Sequence, residues 1–319
     1  MVAERGRMSW WHLPPELRLR VEALLGEEIL DADSQRGGFS PGSADRVVGA
    51  DGGRAFVKTV GRRAHPQAFA LHRRELAVMR QLPDSAGAPR LLGSVDDGDW
   101  IALVLEDIAG RHAGGDATES DVLAVLAAVE ALPPLRSPGG APSLPEAHLE
   151  LAEHFEGWAR IRADGDAQLV PTWAREHLTE LEALAARGAE AVRGDHLVHL
   201  DLRDDNVLID ERGAARIVDW PWAGVGARWF DALTYLLDTR LRGAPVDTDS
   251  ILAGHDLFAE IPDADIDAVL AGLAGDFFDA ARRPPAAGLP SLRAFQRDEA
   301  SAALSWLRDR GAARGGRPL

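Results

Sequence analysis

Residues 199–220, HLDLRDDNVLIDERGAARIVDW, bring three polar side chains to the mouth of a short hairpin. VLID (207–210) is apolar, ERGA (211–214) carries a turn glycine at 213, and ARIV (215–218) is a second β-prone run. A return in simple antiparallel register pairs 209 with 216 and 207 with 218. Asn206 and Asp219 then face each other, with Cα atoms roughly 4.5–5.5 Å apart. An amide oxygen and a carboxylate so placed suit a shared Mg²⁺, a hard ion taking oxygen ligands at about 2.1 Å. Asp201, five residues before Asn206, lies on the loop leading in, where it can act on a hydroxyl beside that metal. H-x-D-x-x-x-x-N alone recurs by chance, and a polar loop beside an ordinary hairpin reads the same way. The apolar hairpin and IVDW that follow at this spacing single the segment out.

A second constraint comes from composition. Lys and Arg total 35, yet Lys58 is the one lysine in the chain. It sits in AFVKTV (55–60), a β-rich run after the turn signal DGG (51–53). A compact ammonium on a flexible stem suits a point contact with phosphate oxygens, for which a planar guanidinium substitutes poorly. An exposed strand lysine retained by chance is the alternative, which this arginine bias disfavours.

A buried ammonium needs an anionic partner. PQAFALHRRELAVMRQLP (66–83) has helical periodicity, with Leu71, Val78, Met79 and Leu82 as its inward stripe. Glu75, the only acid in this helix, lies on that stripe and is expected to pair with Lys58. A rim glutamate paired along the helix with an arginine is the competing reading. Upstream, GGFSPG (37–42) lets backbone amides approach phosphate oxygens, with the Ser40 hydroxyl adding a donor. A plain hairpin turn explains those residues equally well. WIALVLEDIAGR (100–111) is an apolar strand running into a loop at Glu106, Asp107 and Ile108.

Taken in order, GGFSPG, AFVK, RREL, VLEDIAG, HLDLRDDN and IVDW resemble the aminoglycoside phosphotransferase family of small-molecule kinases, over roughly residues 13 to 240. The resemblance implies an α+β, protein-kinase-like two-lobed fold. A small β-rich N-lobe with one key helix would cover 1–107, and a larger, mainly helical C-lobe 108–319. It implies ATP as donor, with GTP as an alternative, and Mg²⁺. Lys58 would hold the phosphates, Glu75 would hold Lys58, and main-chain groups of Glu106 and Ile108 would read the adenine edge, though any buried strand ending in a loop looks like this. Asp201 would act as base on the acceptor hydroxyl, Arg203 would steady the γ-phosphate, and Asn206 and Asp219 would bind the metal. The family usually has glycine where Leu200 stands; protein kinases place arginine there, so a side chain is expected to be tolerated. Asp231 resembles a structural aspartate bracing the loop after the metal ligand.

The implied acceptor is a small molecule with a hydroxyl, an aminoglycoside or amino-sugar compound, with antibiotic resistance as the associated phenotype. A kinase for a sugar, a choline-like compound, homoserine or a peptide antibiotic is also open, as are nucleotidyl transfer and a catalytically silent nucleotide-binding regulator.

The net charge of −16 argues against nucleic acid as a partner and is compatible with a cationic acceptor. Nine acids and no Lys or Arg fall between Gly243 and Ala281, either a solvated face or a field that attracts amines. There is no cysteine, no zinc-ligand spacing among the histidines, and no apolar run of eighteen residues. The N-terminus lacks the order of a signal peptide, which with a need for ATP points to the cytoplasm. The oligomeric state is left open. Helices are expected over 13–26, 120–132, 148–161 and 172–192, with a loop over 133–148.

Overall fold

The computed structural model describes residues 8–35, 41–135, 144–285 and 289–313. Ser40 and much of the 133–148 segment lie outside them. The chain forms two compact units: 1–112 with 205–222, and 113–204 with 223–319. The hairpin of 205–222 thus groups with the N-terminal sheet, whereas a division at 107/108 assigns it to the C-terminal lobe.

The first unit begins with α1 (Pro15–Leu25), which has proline in its first turn and ends at Gly26 in the left-handed region (φ 80°). Strands β1 (Ile29–Ser34), β2 (Ser43–Gly49), β3 (Arg54–Gly61), β4 (Leu91–Asp96) and β5 (Trp100–Glu106) form an antiparallel sheet in the order β1-β2-β3-β5-β4. Strand alternation decides what each face carries. Ala55, Val57, Ala102 and Val104 join Val47 and the α1 side chains Leu17 and Val21 in one apolar core. Phe56 and Lys58 therefore project from the opposite face. Arg46 pairs with Phe56 and Ala44 with Lys58, so both share that second face.

Helix α2 (Pro66–Met79) buries Phe69, His72, Glu75, Leu76 and Met79. Leu71, expected on the stripe, is only half-buried, because the inward face is rotated toward His72. Glu75 stays on it in either setting.

The second unit contributes α3 (Glu119–Glu130), whose start is closed by a capping box between Thr118 and Asp121. It continues with α4 (Ala147–His154), α5 (Gly157–Asp164), α6 (Thr172–Glu176), α7 (Leu178–Ala191) and the short strand β6 (His196–Val198). The helix expected over 148–161 breaks between α4 and α5. At the break, Gly157 lies against the backbone of residue 275, where a Cβ would come within 2.2 Å of a carbonyl oxygen. The helix expected over 172–192 breaks at His177, whose φ of −118° is not helical.

After the hairpin strands β7 (Val207–Ile209) and β8 (Ala215–Ile217), the second unit resumes. It adds β9 (Gly224–Gly226), which pairs with β6, then α8 (Arg228–Leu241), α9 (Thr248–Gly254), α10 (Asp263–Ala281) and α11 (Leu292–Ala313). Helix α10 is buried along most of its length, and the Trp158 indole donates to the Ala271 carbonyl at 2.8 Å. No helix among the described residues is long and apolar enough to cross a membrane.

The acidic run is largely consumed inside this unit. Asp279 binds Arg160, Arg282 and Arg283; Asp263 and Asp267 bind Arg310; Asp249 binds Arg240. Asp276 pairs with His154, and Asp247 caps α9. Six of the nine acids thus have partners within the unit, Arg160 and Arg310 being distant in sequence, while Asp256 and Glu260 are exposed.

Candidate active site

Lys58 is the centre of the polar cluster in the first unit. Its Nζ lies 2.6 Å from Glu75 Oε1 and 2.5 Å from Asp219 Oδ1. The lysine side chain is 14% exposed and that of Glu75 3%. Burial by itself would lower the Lys58 pKa; the charges of Asp219 and Glu75 outweigh it and hold the amine well above its ordinary value. Glu75 is shifted upward by burial and by the nearby Asp219 charge, with Lys58 and the Trp220 amide pulling the other way. The expected Lys58–Glu75 pair is present. The Asp219 contact adds a second carboxylate that the sequence reading did not anticipate.

The hairpin holding Asn206 and Asp219 differs in register from the expectation by one residue. Val207 pairs with Ile217 and Ile209 with Ala215. The loop is three residues, not four: Asp210 N–H donates to Ala214 O, and Gly213 takes the left-handed position (φ 79°) of a turn followed by a bulge. Asn206 therefore lies opposite Val218, whose amide donates to the Asn206 carbonyl at 2.9 Å, and Asp219 follows one position later. Asp219 adopts φ 66°, a left-handed conformation that aspartate tolerates better than most residues. Amide and carboxylate oxygens are the donors a hard divalent cation takes, so this pair fits Mg²⁺. Among the described residues no group of three or more His, Cys, Asp or Glu is arranged for a metal.

Trp220 is fully buried and donates to the Ile217 carbonyl, whereas Trp222 is 36% exposed with the Arg74 guanidinium 4.7 Å from its ring. The 106–111 segment is tied to its surroundings as well. Arg111 and Ile209 exchange backbone bonds of 3.0 and 2.8 Å, and a Cβ on Gly110 would meet the Ile209 carbonyl at 2.9 Å. The Glu106 amide donates to Arg90 O at 2.9 Å, and the Ile108 carbonyl accepts from Arg46 Nη2 at 3.0 Å. Two of the main-chain groups expected to meet a base are therefore engaged within the unit.

In the second unit, the loop carrying Asp201 hangs from α8 by two buried carboxylates two helical turns apart. Asp231 accepts from the amides of His199 and Leu200 at 2.6 and 2.9 Å, and Asp238 accepts from the Asp204 amide at 2.9 Å. Burial pushes Asp231 up to about 7, opposed by those two amides and reinforced by the Asp201 charge. Asp231 thus braces the loop that carries Asp201, a correction to its assignment to the loop after the metal ligand. Leu200 takes φ 66°, where a Cβ costs roughly 1–2 kcal/mol, so its side chain is accommodated with strain and not simply tolerated. His199 is fully buried, and its Nδ1 accepts the Asp201 amide at 3.3 Å, a structural position. Asp201 Oδ1 receives Arg203 Nη1 at 3.0 Å, and the Arg203 guanidinium lies 5.4 Å from the ring of Phe295 on α11. Arg46, Asp238 and Phe295 were not singled out from sequence. Register of β2 on β3 would have put Arg46 on the Lys58 face; no local pattern marks the other two.

The fold has counterparts among solved structures. A thermostable mutant of aminoglycoside phosphotransferase APH(4)-Ia, in ternary complex with ADP and hygromycin B, matches with a TM-score of 0.56 at 12% identity, over 90% of this chain and 97% of that one. Choline kinase LicA from Streptococcus pneumoniae matches with 0.58 at 14% identity, over 91% and 98%. An aminoglycoside phosphotransferase from Alicyclobacillus acidocaldarius matches with 0.54 at 16% identity, over 98% and 100%. No curated protein matches the sequence. These likenesses define a kinase-like fold of one strand-rich and one helical lobe. Residues 38–256 match the model of the phosphotransferase enzyme family (APH), and the chain belongs to that family. Its enzyme class is that of the small-molecule kinases.

Proposed function

We propose that this protein moves the γ-phosphate of ATP to a hydroxyl of a cationic small molecule, an aminoglycoside or related amino sugar, in the cytoplasm. The observation that carries the reading is the only lysine of the chain, ion-paired to Glu75 and Asp219 on one face of the sheet. Family membership and nucleotide-bound neighbours support the donor; the hygromycin B complex supports the acceptor class. The likeness to a choline kinase favours a second acceptor, an amino alcohol bearing a quaternary nitrogen. Both acceptors join a cation to a hydroxyl.

In this reading Lys58 binds phosphate oxygens while Glu75 fixes the ammonium. Asn206 and Asp219 hold Mg²⁺, which neutralises charge on the phosphates when bound. Asp201 accepts the proton of the acceptor hydroxyl. Arg203, steadied by Phe295, keeps Asp201 oriented and adds positive charge toward the transferred group. Modification of an aminoglycoside hydroxyl would make the protein a resistance determinant. The test is a phosphorylation screen over aminoglycosides, amino alcohols and simple sugars, with mass spectrometry of the products. Phosphate on an aminoglycoside hydroxyl supports the reading; AMP on the product, or ATP binding without turnover on any acceptor, overturns it.

A further inference from the structure

Arg46 reaches across the sheet from β2 to the end of β5. Its Nη2 donates to the Ile108 carbonyl at 3.0 Å, and its Nε lies 3.5 Å from Asp107 Oδ1. The other Asp107 oxygen is 2.9 Å from Arg54, and the Asp107 side chain is only 2% exposed. The guanidinium is therefore held by one hydrogen bond to a main-chain oxygen and by the charge of a buried acid that is not hydrogen-bonded to Nε. Pairing with Phe56 sets Arg46 on the face that carries Lys58, two residues along β2 from Ala44, the residue opposite Lys58. The cation thus stands at the 106–108 segment on the lysine side of the sheet.

We propose that Arg46 makes this segment selective for adenine over guanine; the inference rests on reading 106–108 as the base-binding edge. Adenine presents one acceptor, N1, beside one donor group, the N6 amine. Guanine presents two donor groups, N1–H and the N2 amine, beside the O6 acceptor, so it requires two acceptors from the protein. On that reading the carbonyls of 106 and 108 are the acceptors that meet the base. Arg46 already donates to one lone pair of the second, and its positive N–H groups add donors where guanine brings donors of its own. A base whose polar groups are left unpaired in this way is rejected. Adenine needs one acceptor for its N6 amine and one donor for N1, so it makes no demand on the carbonyl that Arg46 holds.

The experiment compares dissociation constants of ATP and GTP, each with Mg²⁺, by calorimetric titration of the wild type, Arg46→Met, Arg46→Lys and Asp107→Asn. Wild type is expected to favour ATP by at least about 10-fold, the scale of one lost hydrogen bond. Arg46→Met keeps the apolar stem and should narrow the preference to within roughly 3-fold, mainly by tightening GTP. Arg46→Lys, whose ammonium still donates to a carbonyl, should retain part of the preference. Asp107→Asn loosens the fork without removing it and should shift the ratio in the same direction as Met. The ratio is measured on one preparation, so partial misfolding of a variant cancels. Equal affinities or a GTP preference in the wild type overturn the inference, as does an unchanged ratio in Arg46→Met and Asp107→Asn. If the wild type binds neither nucleotide, the proposed donor falls with it; if it binds ATP and only the ratio fails, the donor stands and this inference alone is lost.

Discussion

Lys58 Nζ and Asp219 Oδ1 lie 2.5 Å apart although 161 positions separate them in sequence. The contact joins the strand expected to meet phosphate to the hairpin expected to meet metal, inside one compact unit. It also gives one ammonium two carboxylates, of which Glu75 is buried and Asp219 is 40% exposed on its side chain. The two partners therefore differ in what their loss does. Glu75 has no recourse to water, whereas Asp219 can exchange its partner for a cation.

Lys58→Met should leave the Glu75 carboxylate buried without its countercharge, the Trp220 amide alone remaining beside it, destabilising the fold by about 3 kcal/mol. Adding Glu75→Gln removes the orphaned charge and should restore at least half of that loss. Urea denaturation of the two single variants and the double variant measures this. A double variant no more stable than Lys58→Met would show that the pair is not the source of the effect.

Release of Asp219 has its own signature. Without the ammonium, its carboxylate and Asn206 should bind Mg²⁺ or Mn²⁺ more tightly in the absence of nucleotide, while ATP affinity falls by about 10-fold or more through loss of a charge-assisted contact. Mn²⁺ titration followed by electron paramagnetic resonance reads the first effect and calorimetry the second. Weaker metal binding in Lys58→Met would remove Asp219 from the metal site.

Leu200 at φ 66° inverts the usual order of small residues. Glycine is ordinarily less stable than alanine by roughly 0.5–1 kcal/mol in regular structure, but not where φ is positive. Leu200→Gly should be more stable than Leu200→Ala by about 1 kcal/mol in thermal or chemical unfolding. Alanine being the more stable would show that this loop does not hold the left-handed conformation.

Asp231→Ala removes the acceptor of two buried amides, and Asp231→Asn keeps one oxygen. The alanine variant should lose about 2–4 kcal/mol and the asparagine variant about half of that. Because these amides position Asp201, kcat should fall in both while the ATP dissociation constant stays unchanged. Equal loss of nucleotide affinity would mean that Asp231 acts on the fold at large.

His154 supplies a pH dependence. Its hydrogen bond to Asp276 raises its pKa above the ordinary value against a smaller opposing desolvation of this half-exposed side chain, with Glu153 assisting and Arg160 opposing. The folded state therefore binds this proton more tightly than the unfolded chain does. The stabilisation is complete below the unfolded value and is lost as pH rises through the folded one. The difference in Tm between wild type and His154→Gln should accordingly be larger near about pH 6 than near about pH 8.5. A difference that grows with pH would contradict the pairing.

Much of the site was readable because its signals are local or compositional. Lys58 stood out as the only lysine, and Glu75 as the only acid on an apolar stripe. The order of glycine loop, strand, helix and hairpin carried the kinase-like fold. The hairpin register was misjudged by one residue because Gly213 closes a three-residue loop, a choice that backbone hydrogen bonds make and composition does not reveal. Asp231 is legible as a brace but not which loop it holds, and Asp238 is not legible at all, since their partners lie more than thirty residues upstream. Partners of the acidic run of 243–281 are hidden for the same reason: Arg160 and Arg310, which pair with Asp279, Asp263 and Asp267, belong to other helices.

The most direct measurement is transfer of labelled γ-phosphate from ATP to an aminoglycoside in a single turnover, comparing wild type with Asp201→Ala. Wild type should place the label on a hydroxyl. Asp201→Ala should slow that step by about 10²–10⁴-fold while binding ATP as before. Equal rates in the two proteins, or no labelled acceptor from a wild type that binds ATP, would contradict this account.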